Sequence, residues 1–219
     1  IQNAYDSITA WEAALDSTTL YASGDDAVGE LYDDGGDFEE NIILDGGGTV
    51  GLGSVKLTPA SGAMHDGTFD AGVKIISSTA NGFDIATGYA TVINGIVFTN
   101  TYASSGFPYG IRYGTLNDDL VISQNIVAKL STSTNSGRLA YGVAYAGSAA
   151  SKSDVDIVNN IIYRIGTEGG TSPLGGTAIK AAVLGDAAGA VIANNTIYNV
   201  AGTSPGLDAD YGTIKNNIS

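Results

Sequence analysis

Short runs in which aliphatic residues alternate with polar ones recur along the last two thirds of the chain. Val92-Ile93-Asn94-Gly95-Ile96-Val97-Phe98 is followed by Val121-Ile122-Ser123-Gln124-Asn125-Ile126-Val127 and Asp156-Ile157-Val158-Asn159-Asn160-Ile161-Ile162-Tyr163. Val191-Ile192-Ala193-Asn194-Asn195-Thr196-Ile197-Tyr198 and Thr213-Ile214-Lys215-Asn216-Asn217-Ile218 complete the series. Alternation of this kind predicts β-strands with one inward row. Taking Gly95 with the second Asn of each pair, at 125, 160, 195 and 217, gives steps of 30, 35, 35 and 22 residues. A second series lies between these runs: Gly110–Gly114, Gly142–Gly147, Ala178–Val183 and Gly206–Gly212.

Two interleaved series with one period mean that each repeat supplies at least two short strands joined by turns. A repeat of this length cannot bury its apolar side alone, and stacked repeats share one core. The Asn pairs interrupt the apolar run at one fixed place, where the chain must bend, and Asn tolerates left-handed backbone angles. With turns stacked at ~4.8 Å, the amides at that bend can bond to those above and below. The same pairs create the sequons Asn194-Asn195-Thr196 and Asn217-Ile218-Ser219. Ladder positions inside strands argue against their modification.

The first third differs. Thr9-Ala10-Trp11-Glu12 fits a capping box with Thr9 as N-cap, which predicts a helix over 10–16 with Trp11, Ala14 and Leu15 on one face. Ahead of an open sheet end, such a helix is a lid and Trp11 its plug. An acid-rich region follows, Asp25 to Asp45, with strands expected at Val28–Tyr32 and Asn41–Leu44. The pattern therefore divides the chain into residues 1–60, the cap helix and first irregular strands, and residues 61–219, the regular turns. The sequence stops within the repeat motif at Ser219, so the C-terminal end is expected to be uncapped.

From about Val73 to Ser219 the recurring Asn-Asn-Ile pattern resembles a right-handed parallel β-helix of the pectin-lyase-like superfamily. The resemblance implies an all-β solenoid with a short N-terminal capping α-helix. It implies no single function, because the fold serves lyases, hydrolases, tailspikes, adhesins and fibres. The order Ala10-Trp11-Glu12, Met64-His65-Asp66-Gly67, Gly72-Val73-Lys74-Ile75 is similar to openings of β-helix proteins from phage genomes and environmental bacteria. That likeness implies no reaction.

Composition sharpens this. Of 219 residues, 31 are Gly, none is Cys and one is His. There is thus no disulfide framework, thiol nucleophile or site needing two imidazoles. The net charge of −14 argues against nucleic acid, whose phosphates need clustered Lys and Arg. It suits a surface kept hydrated in salty water, so an extracellular or virion location is expected. No apolar run approaches the ~20 residues of a membrane span. The start at Ile1 fits a removed leader or a piece of a longer product.

Candidate chemistry is sparse. A lyase of this superfamily is implied to need calcium-binding Asp residues and a basic Arg. Arg112, Arg138 and Arg164 are the arginines here, and Arg112 and Arg164 fall in different strand series. Asn117-Asp118-Asp119 resembles the Asp motif of polygalacturonase-like enzymes, but the Gly-His-Gly and Arg-Ile-Lys segments are missing. Asp154 with Asp156 and Asp208 with Asp210 are spaced to share a strand face, as a carboxylate pair would, although solvent-facing rows explain them as well. His65 beside Asp66 could be an oriented general base, or a turn histidine bonded to backbone. Gly46-Gly47-Gly48 and Gly51-Leu52-Gly53 read as turns, with no Gly-Lys-Ser/Thr following. Asp33-Asp34-Gly35-Gly36-Asp37 is acidic enough to suggest calcium but lacks EF-hand spacing; a solvated acidic face is the expectation. No catalytic, cofactor-binding or metal residues are assigned.

The expectation is accordingly a non-catalytic extracellular or virion structural protein, such as a decoration, fibre or tail-associated protein. Its partners would be other copies of itself or other virion or cell-surface proteins. One alternative is a polysaccharide-binding or depolymerising tailspike using Tyr102, Tyr109, Tyr113, Tyr141, Tyr145 and Tyr163 to stack on sugars. Another is a secreted adhesin or filament subunit.

Overall fold

In a computed structural model, residues 4–34, 36–102, 106–114, 119–131, 139–146, 155–168, 176–181, 190–201, 206–209 and 213–218 are described. They form a parallel β-solenoid with three sheets and one short helix, α1 (Ile8–Ala14). Strands are numbered in chain order. Sheet A runs β1 (Asp26–Leu31), β3 (Ser54–Pro59), β6 (Ala90–Asn94), β9 (Leu120–Ser123), β12 (Val155–Val158), β15 (Val191–Ala193), β18 (Thr213–Lys215). Sheet B stacks β4 (Lys74–Ser77), β7 (Val97–Asn100), β10 (Ile126–Ser131), β13 (Ile161–Glu168) and β16 (Thr196–Val200). Sheet C stacks β2 (Ile43–Leu44), β5 (Phe83–Ile85), β8 (Tyr109–Tyr113), β11 (Ala140–Tyr145), β14 (Gly176–Ala181) and β17 (Leu207–Ala209). From β6 onward four successive turns each place one strand in A, B and C.

Each run of the first sequence series is therefore two strands with a corner inside it, and the second series is sheet C. Register puts like over like. Leu57, Ile93, Ile122, Ile157 and Ile192 form one inward column in sheet A. Ile75, Phe98, Val127, Ile162 and Ile197 do so in sheet B, and Phe83, Ile111, Val143 and Ile179 in sheet C. All of these side chains are buried. Burying one such side chain stabilises the fold by about 1.5–3 kcal/mol.

The A-to-B corner divides its work between the two Asn positions. Gln124, Asn159, Asn194 and Asn216 take φ of 56°, 59°, 56° and 52°, the left-handed bend. The next residue, Asn125, Asn160, Asn195 or Asn217, points its amide inward and forms the ladder. Asn125 Nδ2 donates to Asn160 Oδ1 at 3.2 Å, Asn160 to Asn195 at 3.0 Å, and Asn195 to Asn217 at 2.9 Å. Each Nδ2 also donates to a carbonyl of the turn before, from Ile93, Ile122, Ile157 and Ile192 in order. Each Oδ1 accepts a backbone N–H as well, from Ile96, Asn125, Asn160 and Asn195.

Register corrects one alignment. Asn94 pairs with Ser123, so Gly95 (φ 75°) stands with the left-handed Gln124, and Ile96 is the ladder's first position. Asn-Gly mimics an Asn pair in sequence, but only the glycine's bend is equivalent. The acceptor Asn of the first sequon, Asn194, is likewise the exposed bend residue, while its neighbour Asn195 is the buried one.

The helix also begins earlier than the capping box suggests. Ser7, not Thr9, is the N-cap, and its Oγ accepts from Ala10 N at 3.0 Å. The carboxylate of Glu40, 31 residues beyond Thr9, takes the N–H groups of Ile8 and Thr9 and the Thr9 hydroxyl. Glu12 turns away to accept from Asp45 N and Gly46 N, and Asp16 from Gly47 N and Thr49 N. These contacts seat the helix on the end of the solenoid. The inward column of sheet A reaches Gly29 in β1, where a Cβ would lie 2.8 Å from the Trp11 ring. Trp11 thus fills the place of the missing side chain, and Leu15 is buried beside it.

A left-handed corner is cheap for Asn and costly for a β-branched residue. Asn159→Val is expected to lower the unfolding free energy by about 2 kcal/mol and Asn159→Gly to leave it nearly unchanged. Urea titrations of the two variants check this.

Candidate functional site

The outer face of sheet C carries a mixture of aromatic and charged side chains. Register stacks Asp84, Arg112, Ala144, Lys180 and Asp208 in one outward column. Asp84 is 6% exposed and forms an ion pair with Arg112, with Asn81 Nδ2 3.4 Å from the same carboxylate. Burial raises the Asp84 pKa, and the Arg112 guanidinium beside it pulls the other way. Because the folded pKa is raised, this group's contribution to stability is present in acid and is lost as the pH rises through it. Tyr109 and Tyr141 stack in the neighbouring column with ring centroids 5.1 Å apart, and Lys180 Nζ lies 5.3 Å from the Tyr141 centroid. Burial raises both phenol pKa values.

The candidate tyrosines pair across successive turns. Tyr109 and Tyr141 spend ring faces on each other, as do Tyr163 and Tyr198 at 4.7 Å and 5°. Tyr113 is fully buried and packs against Tyr145. Inter-turn packing thus engages Tyr109, Tyr113, Tyr141, Tyr145 and Tyr163 of the tyrosines singled out in the sequence.

The other candidates separate. Arg112 lies on β8 of sheet C and Arg164 on β13 of sheet B; Arg138 lies outside the described residues. Asp118, Asp154 and Asp210 also lie outside them. Their neighbours Asp119, Asp156 and Asp208 occupy a bend before β9, β12 and β17 respectively. His65 uses both ring nitrogens on backbone, with Nε2 2.7 Å from Gln124 O and Nδ1 accepting from Gly67 N at 3.2 Å. Asp66 accepts from the Thr68 hydroxyl and N–H, and these bonds hold its pKa low. His65 is thus a turn histidine tying residues 60–73 to the corner at Gln124. The N–H groups of Gly46, Gly47 and Thr49, which a phosphate loop would offer, are taken by Glu12 and Asp16. Tyr89 lies close by, and burial beside Asp16 and Glu12 pushes its pKa up to about 12. Among the described residues no three acidic or imidazole side chains gather as a metal site, and no helix is long and apolar enough to cross a membrane.

One concavity stands out, a cleft of ≈ 920 Å³ at the N-terminal end between the segment leading into α1 and the first strand. Tyr5, Trp11, Tyr21, Tyr32 and Phe38 give it aromatic walls, and Asp6, Glu30, Asp34 and Asp37 give it acid. Asp37 is answered by Lys74 Nζ at 3.4 Å. Burial raises the Tyr21 pKa. The cleft was not visible in the sequence, because it joins residues 4–11 to residues 28–38 across the end of the solenoid.

Set against known proteins, the chain matches no family model, no curated protein and no solved structure. The fold therefore rests on the geometry alone: a parallel β-solenoid.

The buried pair on sheet C gives a stability test. Arg112→Met leaves the Asp84 carboxylate buried without its partner and is expected to cost about 3 kcal/mol. Adding Asp84→Leu should restore stability to within about 1 kcal/mol of the parent, because both charges are then gone. Urea unfolding of the single and double variants measures both values.

Proposed function

We propose that this chain is a non-catalytic structural protein of a virion or an extracellular surface, a decoration, fibre or tail-associated β-helix of the pectin-lyase-like kind. It works through contacts with other copies of itself or with other virion or cell-surface proteins. The observation that carries this reading is where the polar and aromatic side chains go. The Asn ladder, the Tyr109–Tyr141 and Tyr163–Tyr198 stacks and the Asp84–Arg112 pair all join one turn to the next. Side chains spent on stacking build a stiff rod, and stiffness is what a display or fibre module needs. The net charge of −14 keeps such a rod hydrated.

Immunogold electron microscopy of the native source material, with antibody raised against this chain, tests the proposal. Regular label on phage heads or tails, or on an extracellular assembly, is the expected outcome. Label confined to the soluble fraction would contradict it.

A further inference from the structure

The N-terminal cleft contains an open sheet edge. β1 begins the order of sheet A, so among the described residues it is paired with a strand, β3, on one side only. Ala60 N donates to Leu31 O, which fixes the phase of the ladder. In a parallel pair alternate residues direct both N–H and C=O to the same side. Leu31, Gly29 and Ala27 therefore face β3, and Val28 and Glu30 turn their backbone groups away from it. Five consecutive residues, Val28 to Tyr32, line the cleft. Consecutive residues of a strand point to opposite faces, so a cleft that touches all five runs along the edge.

Charge and ring chemistry select what would lie there. Glu30, Asp34 and Asp6 stand at the rim, while the walls are aromatic. Val28 is 52% and Tyr32 51% exposed on the outer face of the same edge. Carboxylates beside aromatic faces favour Lys or Arg side chains, which gain both an ion pair and a cation–π contact. A second copy of this chain, with its net charge of −14, is the wrong sign for this end.

We infer that the cleft is a strand-addition site, in which an extended, Lys- or Arg-bearing segment of a partner protein pairs with the free edge of β1. Main-chain bonds to Val28 and Glu30 supply register, apolar side chains cover Val28 and Tyr32, and basic side chains meet the acidic rim. This deepens the reading of the protein as a contact-making scaffold by naming the surface and the chemistry of one partner.

The test uses Trp11, which is the chain's single Trp and lines the cleft, as its own reporter. The full chain is titrated by fluorescence with the capped peptide Lys-Val-Lys-Val-Lys-Val. Controls are the Glu-Val counterpart and a copy N-methylated at alternate residues. Saturable binding of the basic peptide is expected, with affinity falling at least tenfold on N-methylation and at least tenfold in Glu30→Lys. Glu30 is exposed, so this variant should keep the parent melting midpoint. No binding, or binding that survives N-methylation, would overturn the inference, the latter by showing charge attraction without strand pairing. Self-association of the chain alone that Glu30→Lys abolishes would also overturn it, by assigning the edge to a second copy. Peptide binding without label on any assembly would contradict the structural-protein reading and leave the site standing. Label without peptide binding would do the reverse.

Discussion

A buried amide needs a full set of partners, and in this solenoid each ladder Asn finds them in the turns above and below. Asn160 is the type case. Its Nδ2 donates forward to Asn195 and back to the Ile122 carbonyl, and its Oδ1 accepts the side chain and backbone of Asn125. Leaving any of these groups without a partner costs about 1–3 kcal/mol. A turn that slipped by one residue would bury an aliphatic side chain against the amides and turn the Asn toward the wrong face. The ladder thus sets the register of the A-to-B corner. The aliphatic columns of sheets A and B follow from it, because they begin immediately before and after that corner.

The ends of the solenoid obey a different constraint. The amide ladder closes on neighbours, but among the described residues the first strand of sheet A has a neighbour on one side only, and its inward column stops at Gly29. The chain meets this with a bulky ring in place of a side chain, and holds the ring there with carboxylates that cap backbone N–H groups. Glu40 caps the start of α1 while Glu12 and Asp16 grip the turn at Asp45–Thr49. Several members of the acidic N-terminal third are therefore structural acceptors: Asp25 receives Ala22 N and Asp26 receives the Ser54 hydroxyl. Others, Glu30 and Asp34 among them, remain at the rim of the cleft.

Much of this could be read from the sequence. Alternating aliphatics revealed the strands, and recurring Asn pairs revealed the corner, because both are local patterns repeated at a fixed period. What eluded the sequence depends on which residues of different turns are neighbours. Asn94-Gly95 looks like an Asn pair until register sets Gly95 beside Gln124. Thr9 and Glu12 look like a capping box until Glu40 arrives from another turn. Asp84 and Arg112 lie 28 residues apart and became a pair only once Phe83 and Ile111 were aligned. The cleft was hidden for the same reason, since its two walls meet across the end of the rod.

Equilibrium unfolding of Asn160→Ala in urea tests the governing role of the ladder most directly. Removing this amide strands the Asn125 N–H, half of the Asn125 amide and the Ile122 carbonyl in a buried site. The account predicts a loss of about 3 kcal/mol, well above the cost of an ordinary surface substitution. A loss within about 0.5 kcal/mol of zero would show that the aliphatic columns hold the register by themselves, and would contradict it.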